Sequence, residues 1–167
     1  MVRGVRACYK SRVPEDAVLL PPGQGDRIEN PLGGEIVFKA RAAQTAGSLT
    51  VFEAVNPPGK GPPYHVHEEL DEVIYVLEGT LRVRLVDEIE EATAGAFVFI
   101  PRGMPHTWAG HGEEAVRLLV VVAPSGLEGF FDATAAAGGG QTDDAFNRFG
   151  GDDLGVLGPP LAVTHPL

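Results

Sequence analysis

The chain has one cysteine, Cys8, in 167 residues. An internal disulfide is therefore impossible, and a small secreted fold stapled by disulfides is excluded. Cys8 lies far from the histidine cluster described below, which leaves it an ordinary thiol rather than a nucleophile. Long hydrophobic runs are missing too. No stretch approaches the roughly 20 apolar residues of a membrane-spanning helix. Met1 to Lys10 carry basic side chains with no signal-peptide core after them, so the expected location is cytoplasmic. Positive charge is scarce: 13 Lys and Arg face 23 Asp and Glu, a formal net charge of −10. That balance argues against nucleic acid or an anionic membrane as the main partner. Nucleotide-binding glycine motifs are absent as well. Gly23 and Gly25 sit in no strand–turn–helix unit, and Gly59-Lys60-Gly61 lacks the Ser or Thr of a phosphate-binding loop. No internal repeat is visible.

What the chain has is 44% hydrophobic residues punctuated by 22 Gly and 14 Pro. Short apolar runs between many breakers predict an all-β barrel or sandwich in one domain. Residues 1–34 read as an N-terminal arm, with a short strand at Val18-Leu19-Leu20 and a turn-rich stretch from Gln24 to Gly34. Residues 35–124 read as the barrel. Strands are expected at Glu35–Arg41 and Gly47–Val55, and then as a hairpin, 72–77 and 80–86, around Gly79. A second hairpin is expected to join the 89–93 region to 97–100 through Ala94 and Gly95. Ala115–Ala123 is apolar on both faces apart from Arg117, so both faces need cover. One face of 72–77 and 115–122 meets the core. The other is expected to meet the terminal segments or a second copy, in a homodimer. Residues 125–167 read as a helical and extended tail packed on the barrel. Ser125 is placed to cap a helix carrying Leu127, Phe130 and Phe131. Gly138-Gly139-Gly140 would end that helix, and Asp143 to Phe149 suggests another short one.

The stretch from 59 to 110 carries the chemistry. It reads Gly59-x5-His65-x-His67-x4-Glu72-x6-Gly79 and then, after 15 residues, Gly95-x5-Pro101-x-Gly103-x2-His106. Residues two apart on a strand share a face, so His65 and His67 project together, as do His106 and Trp108. Glu72 shares its face with Ile74 and Val76. Three imidazoles and a carboxylate can converge from neighbouring strands on one metal ion. Asp71 is the alternative carboxylate, but it would bring Tyr75 and Leu77 to the metal face. Ile74, Val76 and Trp108 are the candidate substrate-pocket residues. Arg82 and Arg84 read as a solvated face. His111 and His165 are expected to lie outside the metal's ligand set.

This two-part pattern resembles the signature of the cupin superfamily, with Gly110 standing where the signature closes on Asn. Glu72 fits the signature's carboxylate position, with six residues between it and Gly79. The resemblance implies a jelly-roll barrel with a short C-terminal helical segment, holding a divalent transition metal and commonly dimerising. More narrowly, the chain is similar to single-domain cupins related to bacterial quercetin dioxygenases. That likeness rests on the ligand set, on Pro101-Arg102-Gly103-Met104-Pro105-His106 and on Gly126-Leu127-Glu128-Gly129-Phe130-Phe131.

Imidazole and carboxylate ligands suit Fe, Mn, Ni, Co, Cu or Zn and do not choose among them. The expected activity is a dioxygenase acting on an enolic or aromatic hydroxyl small molecule. Glu72 would serve both as a ligand and as the base that takes the substrate's hydroxyl proton. Two other readings remain open at this point. One is a metal-dependent isomerase or lyase on the same cup. The other is a module that binds a small ligand without changing it.

Overall fold

A computed structural model describes residues 17–136 and 154–165 of the chain. Two antiparallel sheets face one another as a jelly-roll barrel. The first has six strands in the order β1-β2-β3-β10-β5-β8. These are β1 (Asp26–Glu29), β2 (Glu35–Ala40), β3 (Thr50–Asn56), β10 (Val116–Ala123), β5 (Asp71–Glu78) and β8 (Phe97–Ile100). The second has five, in the order β11-β4-β9-β6-β7. They are β11 (Leu154–Pro160), β4 (Pro63–His67), β9 (His106–His111), β6 (Thr80–Leu85) and β7 (Glu88–Thr93). Helix α1 (Ala42–Thr45) links β2 to β3, α2 (Glu128–Ala136) follows β10, and α3 (Leu161–Thr164) follows β11.

Strand alternation builds the core. On β10, Val116, Leu118, Val120 and Val122 point inward and are fully buried. On β5, Glu72, Ile74 and Val76 do the same. On β3 the inward set is Thr50, Phe52, Ala54 and Asn56. Leu81 and Val83 of β6 and Trp108 of β9 close the core from the opposite sheet. The turn at Gly79 has φ +79°, a backbone that favours glycine, and joins β5 to β6, but the two strands do not pair as the expected hairpin: β5 pairs with β10 and β8, and β6 with β7 and β9. That turn also carries the chain from one sheet to the other.

Four further local expectations change. The strand-like segments after Asp87 exist, but they do not pair as a hairpin. β7 pairs with β6 in one sheet and β8 with β5 in the other, so Ala94-Gly95-Ala96 is a crossover between sheets. The sheet also starts earlier than Glu35, because β1 pairs with β2 from inside the turn-rich stretch. Val18-Leu19-Leu20 forms no strand. Finally, Ser125 does not cap α2. The first N–H groups, of Gly129 and Phe130, donate to the carbonyls of Gly126 and Leu127. The glycine stop expected at 138–140 after the first helix and the second helix expected over 143–149 lie outside the described residues, as does Cys8.

Helix α2 is fastened across the end of the barrel. Glu128 Oε1 accepts from the Ala42 N–H at 2.7 Å, and Oε2 accepts from the Thr50 hydroxyl and the Gly126 N–H. Burial works against that carboxylate's charge, but the hydrogen bonds from Thr50, Ala42 and Gly126 outweigh it and hold its pKa below the usual value. Arg41 adds a two-pronged pair to Asp132 at 2.9 and 3.0 Å. Phe131 then packs edge-on against Phe52 and Phe38, with ring centroids 5.5 and 6.1 Å away.

Candidate metal centre

His65, His67, Glu72 and His106 come together, all buried, with no two of their ligand atoms more than 4.8 Å apart. Both sheets contribute. His65 and His67 come from β4, and His106 lies directly across from His65 on β9. Glu72 reaches in from β5 of the facing sheet. The choice between the carboxylates is settled by facing. Glu72 is 1% exposed and lies 3.1 Å from His106 Nε2. Asp71 instead faces outward and takes both the backbone N–H and the guanidinium of Arg102 at 2.9–3.1 Å. Those two contacts from Arg102 hold the Asp71 carboxyl at a pKa of about 2. They also pin the turn at 101–104, whose Gly103 N–H donates to the His67 carbonyl at 2.7 Å. The turn thereby delivers His106 to the cup.

The ring orientations argue for a cation. His65 Nδ1 lies 2.8 Å from the Pro63 carbonyl, and His106 Nδ1 lies 2.8 Å from the Met104 carbonyl. A carbonyl only accepts, so each Nδ1 carries the proton, and in the neutral ring each Nε2 presents a lone pair. Burial first, and then the neighbouring His106 and His67, hold His65 well below the usual imidazole range; the Pro63 carbonyl acts the other way. His65 is therefore neutral at pH 7. Glu72 Oε2 lies 3.1 Å from His106 Nε2. Glu72 Oε1 is buried with no hydrogen-bond partner. A metal ion would give that oxygen a partner, and backbone carbonyls orienting the imidazoles are the usual outer support of such sites. Ligand atoms at about 2.0–2.2 Å from an ion lie at most about 4.4 Å apart, so binding needs a contraction of about half an ångström. The donor set fits a divalent transition metal.

The cup opens into a cavity between the two sheets and α2. His65, His67, Glu72 and Trp108 line it, with Phe52, Phe130 and Phe131 on the apolar side. Trp108 thus faces the cavity, as the sequence suggests. Ile74 and Val76 do not. They share the inward face of Glu72, but both are fully buried in the core, and the cavity runs toward β2, β3 and α2 instead. Phe52 and Asn56 were not singled out by motif. The signal for them was strand alternation, which puts both on the inward face of β3. Phe130 and Phe131 dock on the barrel and also form cavity wall. His111 pairs with Glu91 at 3.3 Å, and His165 is exposed; neither joins the cup. Arg82 and Arg84 are half-buried rather than fully solvated, and Arg84 stacks on the Tyr64 ring at 4.2 Å.

The glycine at 110 has a physical reason. Residues 56–60 run against β9, with the Gly59 N–H donating to the Gly110 carbonyl and the Gly110 N–H to Lys60. A Cβ at position 110 would lie 2.7 Å from the Pro57 carbonyl oxygen. Any side chain there, Asn included, would push this segment away.

Comparison with known proteins agrees with this architecture. A germin-like protein 1-1 from Oryza sativa subsp. japonica is 32% identical over 106 residues, 52% of this chain and 45% of that protein. The polyketide synthase CurC of Streptomyces cyaneus is 32% identical over 82 residues, 48% of this chain and 53% of that protein. The chain thus spans about half the length of these curated relatives. Among solved structures, KdgF from Halomonas sp. superposes with a TM-score of 0.54 at 18% identity, covering 62% of this chain and 91% of that one. That likeness concerns the fold alone. No described helix is long and apolar enough to cross a membrane. Residues 52–122, which contain all four cup residues, match the family model for the cupin domain, and the two facing antiparallel sheets agree with that match.

Proposed function

We propose that the protein is a metal-dependent dioxygenase acting on an enolic or aromatic hydroxyl compound. One observation carries the reading: a buried three-His, one-Glu cup at the floor of an apolar cavity, with one oxygen of Glu72 unpartnered. A divalent ion held by His65, His67, Glu72 and His106 would supply Lewis acidity for an enol oxygen. Glu72 Oε2 faces the histidines, which leaves Oε1 free to accept the enol proton. Phe52, Phe130 and Phe131 exclude water and hold the apolar body of the substrate. The enolate is itself the electron donor and dioxygen the oxidant, so the balance needs no external reductant.

The test is anaerobic addition of a flavonol or a β-diketone to metal-loaded protein, followed by air. Spectral binding and then uptake of one dioxygen per substrate is the expected result. Binding without oxygen uptake across such a panel contradicts it. Turnover in the absence of oxygen would identify isomerase or lyase chemistry on the same cup. A metabolite retained unchanged would mark a binding module.

We further propose a homodimer formed through the outer face of the six-stranded sheet. Cross-strand partners there align Phe97, Tyr75 and Leu119 in one row and Phe99, Val73, Val121 and Val51 in the next. Phe97 is 64%, Phe99 52% and Tyr75 39% exposed, and β8 is an edge strand. Contiguous apolar surface of this kind is typical of an interface. A two-fold axis would set the same patch on itself. Light scattering at micromolar concentration should return twice the 17.6 kDa chain mass, and Phe97→Glu with Phe99→Glu should return the single mass. A wild-type monomer throughout that range contradicts the proposal.

A further inference from the structure

Strands β4 and β9 carry the three histidines of the cup, yet little backbone joins them. Their ladder has one pair, His65 with His106. Each strand is bound more fully on its other side: β4 pairs with β11 from Pro63 to His67, and β9 with β6 from His106 to His111. The cup is therefore divided along a seam. His65 and His67 move with β11, and His106 moves with β6 and β7. The sequence explains the thin ladder. Pro62 and Pro63 have no N–H, so the stretch leading into His65 has nothing to donate to β9.

A side chain crosses the seam at that point. Thr107 Oγ1 donates to the Pro62 carbonyl at 2.7 Å. Thr107 is 1% exposed, and Pro62 and Pro63 are buried, so the bond lies out of reach of solvent. His65 Nδ1 donates to the next carbonyl, of Pro63, at 2.8 Å, which orients that ring. Thr107 is in turn the chain neighbour of His106. The contacts close a ring that runs from His106 through Thr107, Pro62 and Pro63 to His65, and back through the ladder pair. Backbone bonds tie the seam on either side, from the Gly103 N–H to the His67 carbonyl and between Gly59, Lys60 and Gly110, but these do not engage Pro62 or Pro63. Gly61 lets the two chains meet there: a Cβ on it would lie 1.8 Å from the Trp108 carbonyl oxygen. Packing alone does not ask for a hydroxyl at 107, because valine has the same branched shape and the same preference for strands.

We propose that Thr107 is a positioning residue for the metal cup, and that by holding the Pro62–Pro63 step against β9 it fixes the His65 ring relative to His106. The proposal rests on the reading of the cup as a metal site. Groups that orient metal-binding imidazoles from outside are worth about 10–100-fold in metal affinity, and Thr107 acts one bond further out, through the Pro62–Pro63 backbone.

The experiment measures Zn(II) affinity by competition with a coloured chelator, and the EPR spectrum of the Cu(II)-loaded protein. Thr107→Val should bind Zn(II) about tenfold more weakly than the wild type and give an altered Cu(II) spectrum. Thr107→Ser keeps the hydroxyl and should restore both. Thr134→Val is the matched control: Thr134 Oγ1 donates to the Phe130 carbonyl at 2.8 Å, is likewise 1% exposed, and lies on α2 outside the cup. It should lower Tm, as Thr107→Val does, and leave affinity and spectrum unchanged. If Thr107→Val does not fold, Thr107→Ala against Thr134→Ala makes the same comparison. Wild-type affinity and spectrum in Thr107→Val overturn the positioning role and leave the cup standing. So does a Thr107→Ser variant as weak as Thr107→Val, or an equal loss of affinity in Thr134→Val. A wild type that binds neither ion overturns the cup and the positioning role together.

Discussion

Replacing His106 with alanine should weaken metal binding by at least about 100-fold. Loss of a residue that merely orients a ligand already costs about 10–100-fold, and His106 is placed as a ligand itself. It is also the hub of the cup, 4.2 Å from the His65 ring and 5.6 Å from the His67 ring, with Glu72 Oε2 at 3.1 Å. Removing it leaves Glu72 a buried charge facing a void, and the remaining three groups cannot close around an ion on that side. Elemental analysis after dialysis against a limiting metal buffer reads the effect. His111→Ala is the matched control. It removes a partly exposed imidazole that pairs with Glu91 at 3.3 Å, and it should keep full occupancy. Equal occupancy in the two variants would count against the cup.

Glu72→Gln should lower activity per bound metal by about 100-fold or more. The substitution keeps the size and an oxygen ligand but removes the charge and most of the basicity. If Glu72 were a ligand only, metal affinity would drop while each loaded site kept its turnover. The structure supports a second role because the two oxygens are unequal: Oε2 faces His106 and His67, and Oε1 has no partner. The three imidazoles can still hold an ion in the variant. Occupancy and turnover must be measured on the same samples, and unchanged turnover per metal would restrict Glu72 to coordination.

The site was legible because its information is local. His65 and His67 need only strand alternation to share a face, and the resemblance to the cupin signature, counted back from Gly79, implies Glu72 as the carboxylate. Pro101 and Gly103 end one strand and start the turn that presents His106. The same periodicity marked 72–77 and 115–123 as strands with apolar residues on both faces. What stayed hidden depends on partners distant in sequence. Asp26–Glu29 is too short and polar to read as a strand, and it becomes one by pairing with β2. Leu154–Pro160 is rich in Gly and Pro, yet it pairs with β4 behind His65 and His67. The segments 88–93 and 97–100 look like a hairpin because alternation says nothing about which sheet a strand joins.

The cavity shows the same limit. Ile74 and Val76 share a face with Glu72, which is all that strand alternation can report. Whether that part of the face is cavity or core depends on what lies opposite, and here core side chains fill the space. The open side is set by α2, whose placement rests on Glu128 reaching Thr50 and Ala42 across the barrel end. No sequence spacing encodes that distance. Asn56 illustrates the converse. It is an ordinary polar residue at the end of a strand until the structure shows it buried with its Nδ2 unpartnered.

The central claim is that these four side chains hold one metal ion, and anomalous X-ray scattering from crystals of the purified, metal-loaded protein tests it most directly. The account predicts one anomalous peak per chain about 2.0–2.2 Å from the Nε2 atoms of His65, His67 and His106 and from a Glu72 carboxylate oxygen. A peak at another position, or no peak after loading with each of Fe, Mn, Co, Ni, Cu and Zn, would contradict it.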